Sequence, residues 1–443
     1  MNIAFIPIDN RPVCYTLPEQ ICATDKNINL YLPKREWLGD LHKYADVEKI
    51  FEWLENLSDV DSIILSLDTV AYGGLISSRR CEDSFDKIKK RVENLKNILE
   101  KKQAKIYAFS SIMRISNNNI NEEEKEYWNE WGKKIFEYSY NTHKLGKPFE
   151  NGIPDEILKD YLETRKRNFE INKIFLDYKK QRLFDTLVFS KDDCAEYGLN
   201  VKEACELEKL GGFVKTGADE IPLTLLARSI SGNLKVAPIF LEPDFKHLIS
   251  NYEDVSIEQS VKGQLNLAGC DICEPCDADI LLYVNNFKGH QGEIVMKVNT
   301  EAFSGEFKTP EKNFMIADVR FANGADNAFV KKIFENDFDE NFYGYSAWNT
   351  SANSLGSLIC GAKVKYFAKS FDKQAFQRLQ TVRFLDDWAY QANVRQQLQK
   401  PDIDMVKEKM KPFENKVFEK LGESYDIQYK FPWNRLFEVE VCI

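Results

Sequence analysis

Long apolar runs are missing from this sequence: none approaches the roughly 18 to 20 residues that a membrane-spanning helix needs. A membrane-embedded protein is therefore not expected. Histidine is scarce, with four in 443 residues. His42, His143, His247 and His290 show no HExxH-like spacing, so neither a His-built zinc site nor a Ser-His-Asp triad is expected. Positive charge is in deficit, 60 Lys and Arg against 70 Asp and Glu, a net −10. Binders of nucleic acid or anionic membranes carry a basic footprint, and neither partner is expected here. The opening "MNIAFIPIDNRP" has no basic segment followed by an apolar signal stretch, which points to the cytoplasm. Linkers rich in Pro, Gly or Ser, short repeats and low-complexity tracts are also lacking. The glycines of "LDTVAYGGLISSRR" have neither GxGxxG nor GxxxxGK[ST] spacing, so nucleotide binding gains little support.

Cysteine is not scarce, with ten in the chain. Cys270, Cys273 and Cys276 form a CxxCxxC run in "GCDICEPCDAD". A metal or iron–sulfur site wants a fourth ligand, none follows closely, and His290 is the nearest histidine downstream. The run reads as reduced thiols flanking a strand at 279–284, and no metal is assigned to it.

What is present is a globular composition, 43% hydrophobic and 29% charged, with short apolar runs that alternate with helical stretches. Strands are expected at 3–9, 62–68, 105–112, 185–193, 212–220, 235–243, 279–286, 314–320 and 343–349. Helices are expected at 84–102, with Ser84 as cap, at 121–140 and at 157–181. Near-continuous apolar strands separated by helices argue for parallel sheet covered on both faces. The first expectation is an α/β fold of (β/α)8-like barrel type. A doubly wound parallel sheet is the alternative. Residues 1–370 form the expected catalytic domain, with 233–290 as a smaller inserted or appended α/β lobe. Residues 371–443 form a helical extension that ends in a strand-like run.

Polar residues gather where the strands end, the face on which both architectures place their sites. They are Asp9, Asn10 and Arg11; Asp68, Tyr72, Gly73 and Gly74; Arg114 and Asn117; Asp192 and Asp193; Asp219 and Glu220; Asn285 and Asn286; Asp318, Arg320, Asn323 and Asp326; and Trp348, Asn349 and Asn353. One acid at a strand end is commonly the N-cap of the next helix. So many strands ending in Asp, Asn or Arg point to a shared site. The run "FDTLVFSKDDCAEYGLN" drives an apolar strand into Asp192 and Asp193, adjacent acids that repel each other. Such a pair can hold one carboxyl protonated beside an ionised one. Alternatively one caps the next helix and the other is solvated. "GADEIPLTLLAR" supplies a second pair, Asp219 and Glu220. Four such carboxylates suit glycoside hydrolysis, and equally suit a divalent metal held by oxygen. Trp348 and Asn349 in "SAWNTSANSLGS" could stack on and hydrogen-bond a sugar, or be core and turn.

Taken together, "FIPIDNRPV", "LDTVAYGGLISSR", "SKDDCAEYG", "GADE", "RFANGAD", "AWNTSANSLG", "RFLDDWAYQANVR" and "PWNRLFEV" resemble DUF4127, a bacterial family of unknown function, over essentially the whole chain. The resemblance implies that the strand-end residues belong to one family site. It also implies that Arg383, Asp387, Trp388, Tyr390 and Arg395 pack against that site or close it. A second resemblance rests on two short motifs, the Asp-Asp pair and Trp-Asn. It is to the O-GlcNAcase type of β-N-acetylglucosaminidase, in which the first Asp orients the substrate acetamido group and the second is the general acid/base. Carried over, Asp192 is the orienter and Asp193 the acid/base, with Asn286 and Asn349 holding sugar hydroxyls.

The leading expectation is thus a glycoside hydrolase without cofactor, acting on a small-molecule carbohydrate with an N-acetylhexosaminide favoured. Its catalytic acids are Asp192, Asp193, Asp219 and Glu220. A hydrolase or lyase that uses the same acids with Mg or Mn is the alternative, and a non-catalytic sugar-binding protein is the third reading.

Overall fold

The computed structural model describes residues 1–192 and 194–443. By chain contacts it divides into two compact units. The first comprises Met1–Tyr15, Asn29–Pro222 and Tyr252–Asp254; the second comprises Thr16–Ile28, Leu223–Asn251 and Val255–Ile443.

In the first unit the apolar runs pair into one parallel sheet of β1 (Asn2–Ile6), β2 (Asn29–Tyr31), β3 (Ser62–Ser66), β4 (Lys105–Ile112), β5 (Thr186–Lys191) and β6 (Val214–Thr216). Their order across the sheet is β2-β1-β3-β4-β5-β6. Every residue of β3, and every residue of β4 after Lys105, is buried, as expected of a sheet covered on both faces. Helices Val47–Asn56, Phe85–Leu99 and Asp155–Lys180 put Ile50 and Leu54, Val92 and Leu95, and Ile171 and Phe175 into the core around Ile63 and Leu65. Ser84 caps the second of these helices, its hydroxyl accepting from the Lys87 amide at 3.3 Å.

In the second unit five strands form another parallel sheet. They are β7 (Leu234–Phe240), β8 (Cys270–Ile272), β9 (Ile280–Asn285), β11 (Phe314–Asp318) and β13 (Phe342–Ser346), in the order β13-β11-β9-β7-β8. Two-residue strands β10 (Gly292–Glu293) and β12 (Phe321–Ala322) pair in parallel, and β14 (Gln428–Lys430) pairs antiparallel with β15 (Glu440–Cys442). Residues 233–290 thus contribute β7, β8 and β9 to this sheet. Phe384, Trp388, Val406 and Val417 from the 371–443 segment share a core with Phe314, Phe329 and Tyr345.

The α/β class is as expected. The barrel is a correction: no closed sheet is seen among the described residues, and both sheets are open. In each, the first strand lies inside, the second pairs on one side of it, and the later strands follow on the other. In open α/β sheets ligands bind at such a reversal, outside the carboxyl ends of the strands on either side of it, here the first and third. Among the described residues no helix is long and apolar enough to cross a membrane.

One close approach lies near the carboxyl ends of the first unit's strands. A Cβ added to Gly39 would stand 2.3 Å from the Gly73 carbonyl oxygen. The Gly39 carbonyl accepts from the Asn10 amide at 3.1 Å, and the Gly73 carbonyl accepts from the Ala45 amide at 2.9 Å. Gly39→Ala therefore forces backbone apart where the segments after β2 and β3 meet. A loss of about 1–3 kcal/mol in denaturant unfolding is expected; an unchanged midpoint would show that the loop gives way freely.

Candidate functional site

At the carboxyl edge of the first sheet, the loops after β1 and β6 converge on one guanidinium. Asp9 closes a tight turn, its carboxylate accepting from the Arg11 amide at 2.9 Å and from Arg11 Nε at 2.8 Å. The far side of Arg11 grips Asp219 with two donors, at 3.1 and 2.5 Å. The fork geometry of Arg suits this bidentate grip. Cys14 Sγ lies 3.8 Å from Arg11 NH2 and 3.9 Å from Asp219 Oδ1, and all four side chains are buried. Burial pushes the Asp219 carboxyl up, and the Arg11 guanidinium pulls it back. Glu220 folds over its own turn, with Oε2 accepting from the Ala218 amide at 3.1 Å. Only glycine fits at 217, where φ is +120° and a Cβ would meet the Glu220 carboxylate.

A second ionic group involves β4 and β5. Arg114 donates to Glu124 at 3.3 Å, to Asp192 at 3.3 Å and to Glu123 at 2.7 Å. Glu124 also accepts from buried Arg79 at 3.1 Å, so two guanidinium groups share it. Arg114 and Asp192 remain partly open to solvent. Asp193 lies outside the described residues.

Between β1 and β4, just past the end of β3, sits Asp68, 1% exposed. Its Oδ2 accepts from the Ser111 amide at 2.8 Å. Its Oδ1 has no hydrogen-bond partner among the described residues, and neither has the buried Tyr72 hydroxyl. Burial raises the Asp68 carboxyl to about 7, against the pull of the Ser111 amide and of Arg79. A carboxyl so placed holds its proton near neutral pH and has a free oxygen with which to give or take one.

The second unit holds the remaining residues of the expected site in a more completely paired arrangement. Asp318 Oδ1 accepts from Asn285 at 2.8 Å; Oδ2 accepts from the Asp326 amide at 2.8 Å and from the Tyr345 hydroxyl at 3.2 Å. Burial, then the Asp326 charge, raises Asp318 to about 8. Arg320, fully buried, donates to Asn285 at 3.0 Å and to Glu242 at 2.8 Å. The Asn286 side-chain amide exchanges two hydrogen bonds with the Glu242 backbone. Asp326 caps helix Asn327–Phe334 through the Ala328 amide. Asn323 and Asn349 both take left-handed backbone, at φ 59° and 58°, and the Asn323 amide donates to the Asn349 carbonyl. Trp348 is 3% exposed, with its ring edge-on to Phe437. Asn353 Oδ1, buried in the first turn of helix Ser351–Tyr366, has no partner among the described residues. Asp387 Oδ2 accepts from the Ala347 amide just past β13, and Oδ1 accepts from Arg383; burial raises it to about 7. It belongs to an 11-residue π-helical stretch, Phe384–Val394, a rare form that recurs at functional sites.

Of the expected residues, the first unit therefore carries Asp9, Asn10, Arg11, Asp68, Tyr72, Arg114, Asp192, Asp219 and Glu220. The second carries Asn286, Asp318, Asn323, Asp326, Trp348, Asn349, Asn353 and Asp387. Cys14 beside Arg11, and Arg79, Glu123 and Glu124 around Arg114, were not anticipated. Arg79 lies in the quoted "LISSRR", but Glu123 and Glu124 sit in a run of three glutamates that reads as the start of a helix. That helix starts only at Trp128.

The family profile described as "Protein of unknown function (DUF4127)" matches residues 3–442. The chain belongs to the DUF4127 family. No curated protein matches it. For this DUF4127 member the chemistry of the site has to be argued from its own side chains. Three of them, Asp9, Cys14 and Asp219, could offer ligand atoms within 4.8 Å of one another. The CxxCxxC run does not take part in that group.

Proposed function

We propose that this DUF4127 protein is an enzyme of carboxylate acid–base type working at the carboxyl edge of the first sheet. The reaction we assign to it is hydrolysis of a small glycoside, an N-acetylhexosaminide first. The observation that carries the acid–base part is Asp68: a buried strand-end carboxyl raised to about 7, with one oxygen unpartnered among the described residues. Glycoside hydrolysis needs an acid that is protonated at working pH and a second carboxylate that meets positive charge at the anomeric carbon. Asp68 fits the first role. Asp192, partly exposed and gripped by Arg114, fits the second. The substrate class rests on the resemblance of the Asp192–Asp193 pair to the acetamido-assisted glycosidases, and there Asp193 competes with Asp68 for the role of acid. Asp68 and Trp348 are both buried, at 1% and 3% exposed, and Trp348 belongs to the second unit with its ring edge-on to Phe437.

The closeness of Asp9, Cys14 and Asp219 favours a second reading with a divalent cation. Mg or Mn prefers an all-oxygen shell. Here one donor is a thiol, and the Arg11 guanidinium already pairs with both carboxylates. The donor set does not fit Mg or Mn, and no step is routed through either.

The test is release of aryl alcohol from a panel of aryl glycosides, led by the N-acetylglucosaminide and N-acetylgalactosaminide, with and without EDTA. EDTA-insensitive release by the wild type is expected. An Asp68→Asn or Asp193→Asn variant should lose about 10²- to 10⁴-fold, and whichever does so identifies the acid. Binding without turnover in the wild type would leave a sugar-binding protein; release that EDTA abolishes would leave the metal reading.

A further inference from the structure

The second unit contains a cavity of about 940 Å³, of the size that encloses small-molecule ligands. It opens beside the residues that lead into β13 and plays no part in the chemistry described above. Its wall holds an amine in an uncommon setting. Lys365 Nζ donates to the Phe342 carbonyl at 2.6 Å and to the Glu340 carbonyl at 3.1 Å. Three rings crowd the same nitrogen, Phe376 at 4.2 Å, Tyr343 at 4.4 Å and Phe371 at 5.1 Å. A neutral amine has two N–H groups and one lone pair. The two carbonyls satisfy both N–H groups, so loss of the third proton leaves no donor stranded and frees the lone pair. Lys373, exposed on the same cavity, has no ion-pair partner among the described residues.

We propose that Lys365 is a carbonyl-capturing amine, and that this cavity takes an aldehyde or ketone with an aromatic or otherwise apolar body and one acidic group. The rings would pack on the body, and Lys373 would pair with the acid. In the capture step the lone pair of the amine forms a bond to the carbonyl carbon. The carbonyl oxygen takes one proton from the nitrogen and one from solvent and leaves as water, giving a protonated imine; nothing is oxidised or reduced. Burial lowers Lys365 to about 8; Glu340 opposes that shift and Lys373 adds to it. Desolvation and a neighbouring cation are the two established ways to activate a lysine. The other charged groups on the cavity are Glu311, Asp339 and Lys420, and the last is tied to the Phe334 and Asn336 carbonyls.

The test treats the intact protein with 4-carboxybenzaldehyde and cyanoborohydride, then maps the reduced adducts by peptide mass spectrometry. Lys365 should label at least about tenfold faster than exposed lysines near neutral pH, because far more of it is unprotonated. Its rate should level off above about pH 8. Benzaldehyde, lacking the acid, should label it more slowly, and Lys373→Gln should remove that preference. Lysine 365 labelling no faster than exposed lysines would overturn the proposal, because its carbonyl contacts would then hold a structural ammonium. Equal rates for the two aldehydes would overturn the assignment of an acidic ligand. The labelling rate and the aldehyde preference are both read on the wild-type protein, so neither depends on the Lys373→Gln variant folding.

Discussion

Asp68→Asn is expected to lower turnover by about 10²- to 10⁴-fold while making the folded chain relatively more stable as pH rises. The sign follows from where the proton sits. Burial raises this carboxyl from 3.8 to about 7 in the native state. Between those values the folded protein holds a proton that the unfolded chain has released. Wild-type stability therefore falls as pH rises through that window, and the Asp68 contribution is flat above about 7. Asparagine keeps an acceptor for the Ser111 amide but cannot ionise, so it lacks this slope. The stability of the variant minus that of wild type should climb by roughly 2–4 kcal/mol between about pH 4 and 7 and then level off. Urea unfolding at a series of pH values measures it. A difference independent of pH would mean that Asp68 ionises normally in the fold. Lost activity with a gain in stability is the mark of a residue kept for chemistry at a cost to folding.

The second large effect concerns Arg11. Its guanidinium pairs with both Asp9 and Asp219, and both carboxylates are buried. Arg11→Met keeps the length of the side chain and removes the charge, leaving two mutually repelling acids. Breaking one partner out of a buried ion pair costs about 3–5 kcal/mol. An unfolding free energy lower by that amount at neutral pH is expected. Lowering the pH should restore part of it, because protonating Asp219, whose carboxyl burial pushes up, relieves the repulsion. Arg11→Lys should recover less than its charge suggests, because an ammonium cannot reproduce the bidentate grip on Asp219. A variant as stable as wild type would show that the cluster is held by other groups.

Much of the sheet architecture was legible because a strand buried on both faces reads as an unbroken apolar run. Ile63, Ile64 and Leu65 of β3 and Leu281 and Leu282 of β9 are such cases, all buried. β2 and β8 escaped notice for the converse reason. Each has three residues, largely exposed, and so no run to detect. The choice of barrel over open sheet was not written in periodicity, since alternating strands and helices serve both. It depends on which side of β1 and β7 each later strand pairs. The two units were hidden because the chain passes between them at Tyr15–Thr16, Ile28–Asn29 and Pro222–Leu223 without any flexible linker.

In the candidate site, the strand-end rule found Asp9, Arg11, Asp68, Arg114, Asp192 and Asp219 because parallel strands all end on one face. It did not find how they pair. Arg11 meets Asp219 across 208 positions, a distance that local spacing does not encode. Nor did it separate Asp68 from its neighbours. That residue looked like one more polar strand end; what marks it is a carboxyl raised to about 7 together with an oxygen that has no partner among the described residues. The amide of Asn286, by contrast, is consumed by the Glu242 backbone.

The measurement that bears most directly on the assignment is the pH dependence of kcat/KM for an aryl N-acetylglucosaminide, with wild type and Asp68→Asn side by side. Release by the wild type should fall on the alkaline side with a limb near 7, where Asp68 loses its proton. The variant should lose that limb together with most of its rate. If the wild type releases nothing from any glycoside of the panel, or if the limb persists in Asp68→Asn, the assignment is contradicted.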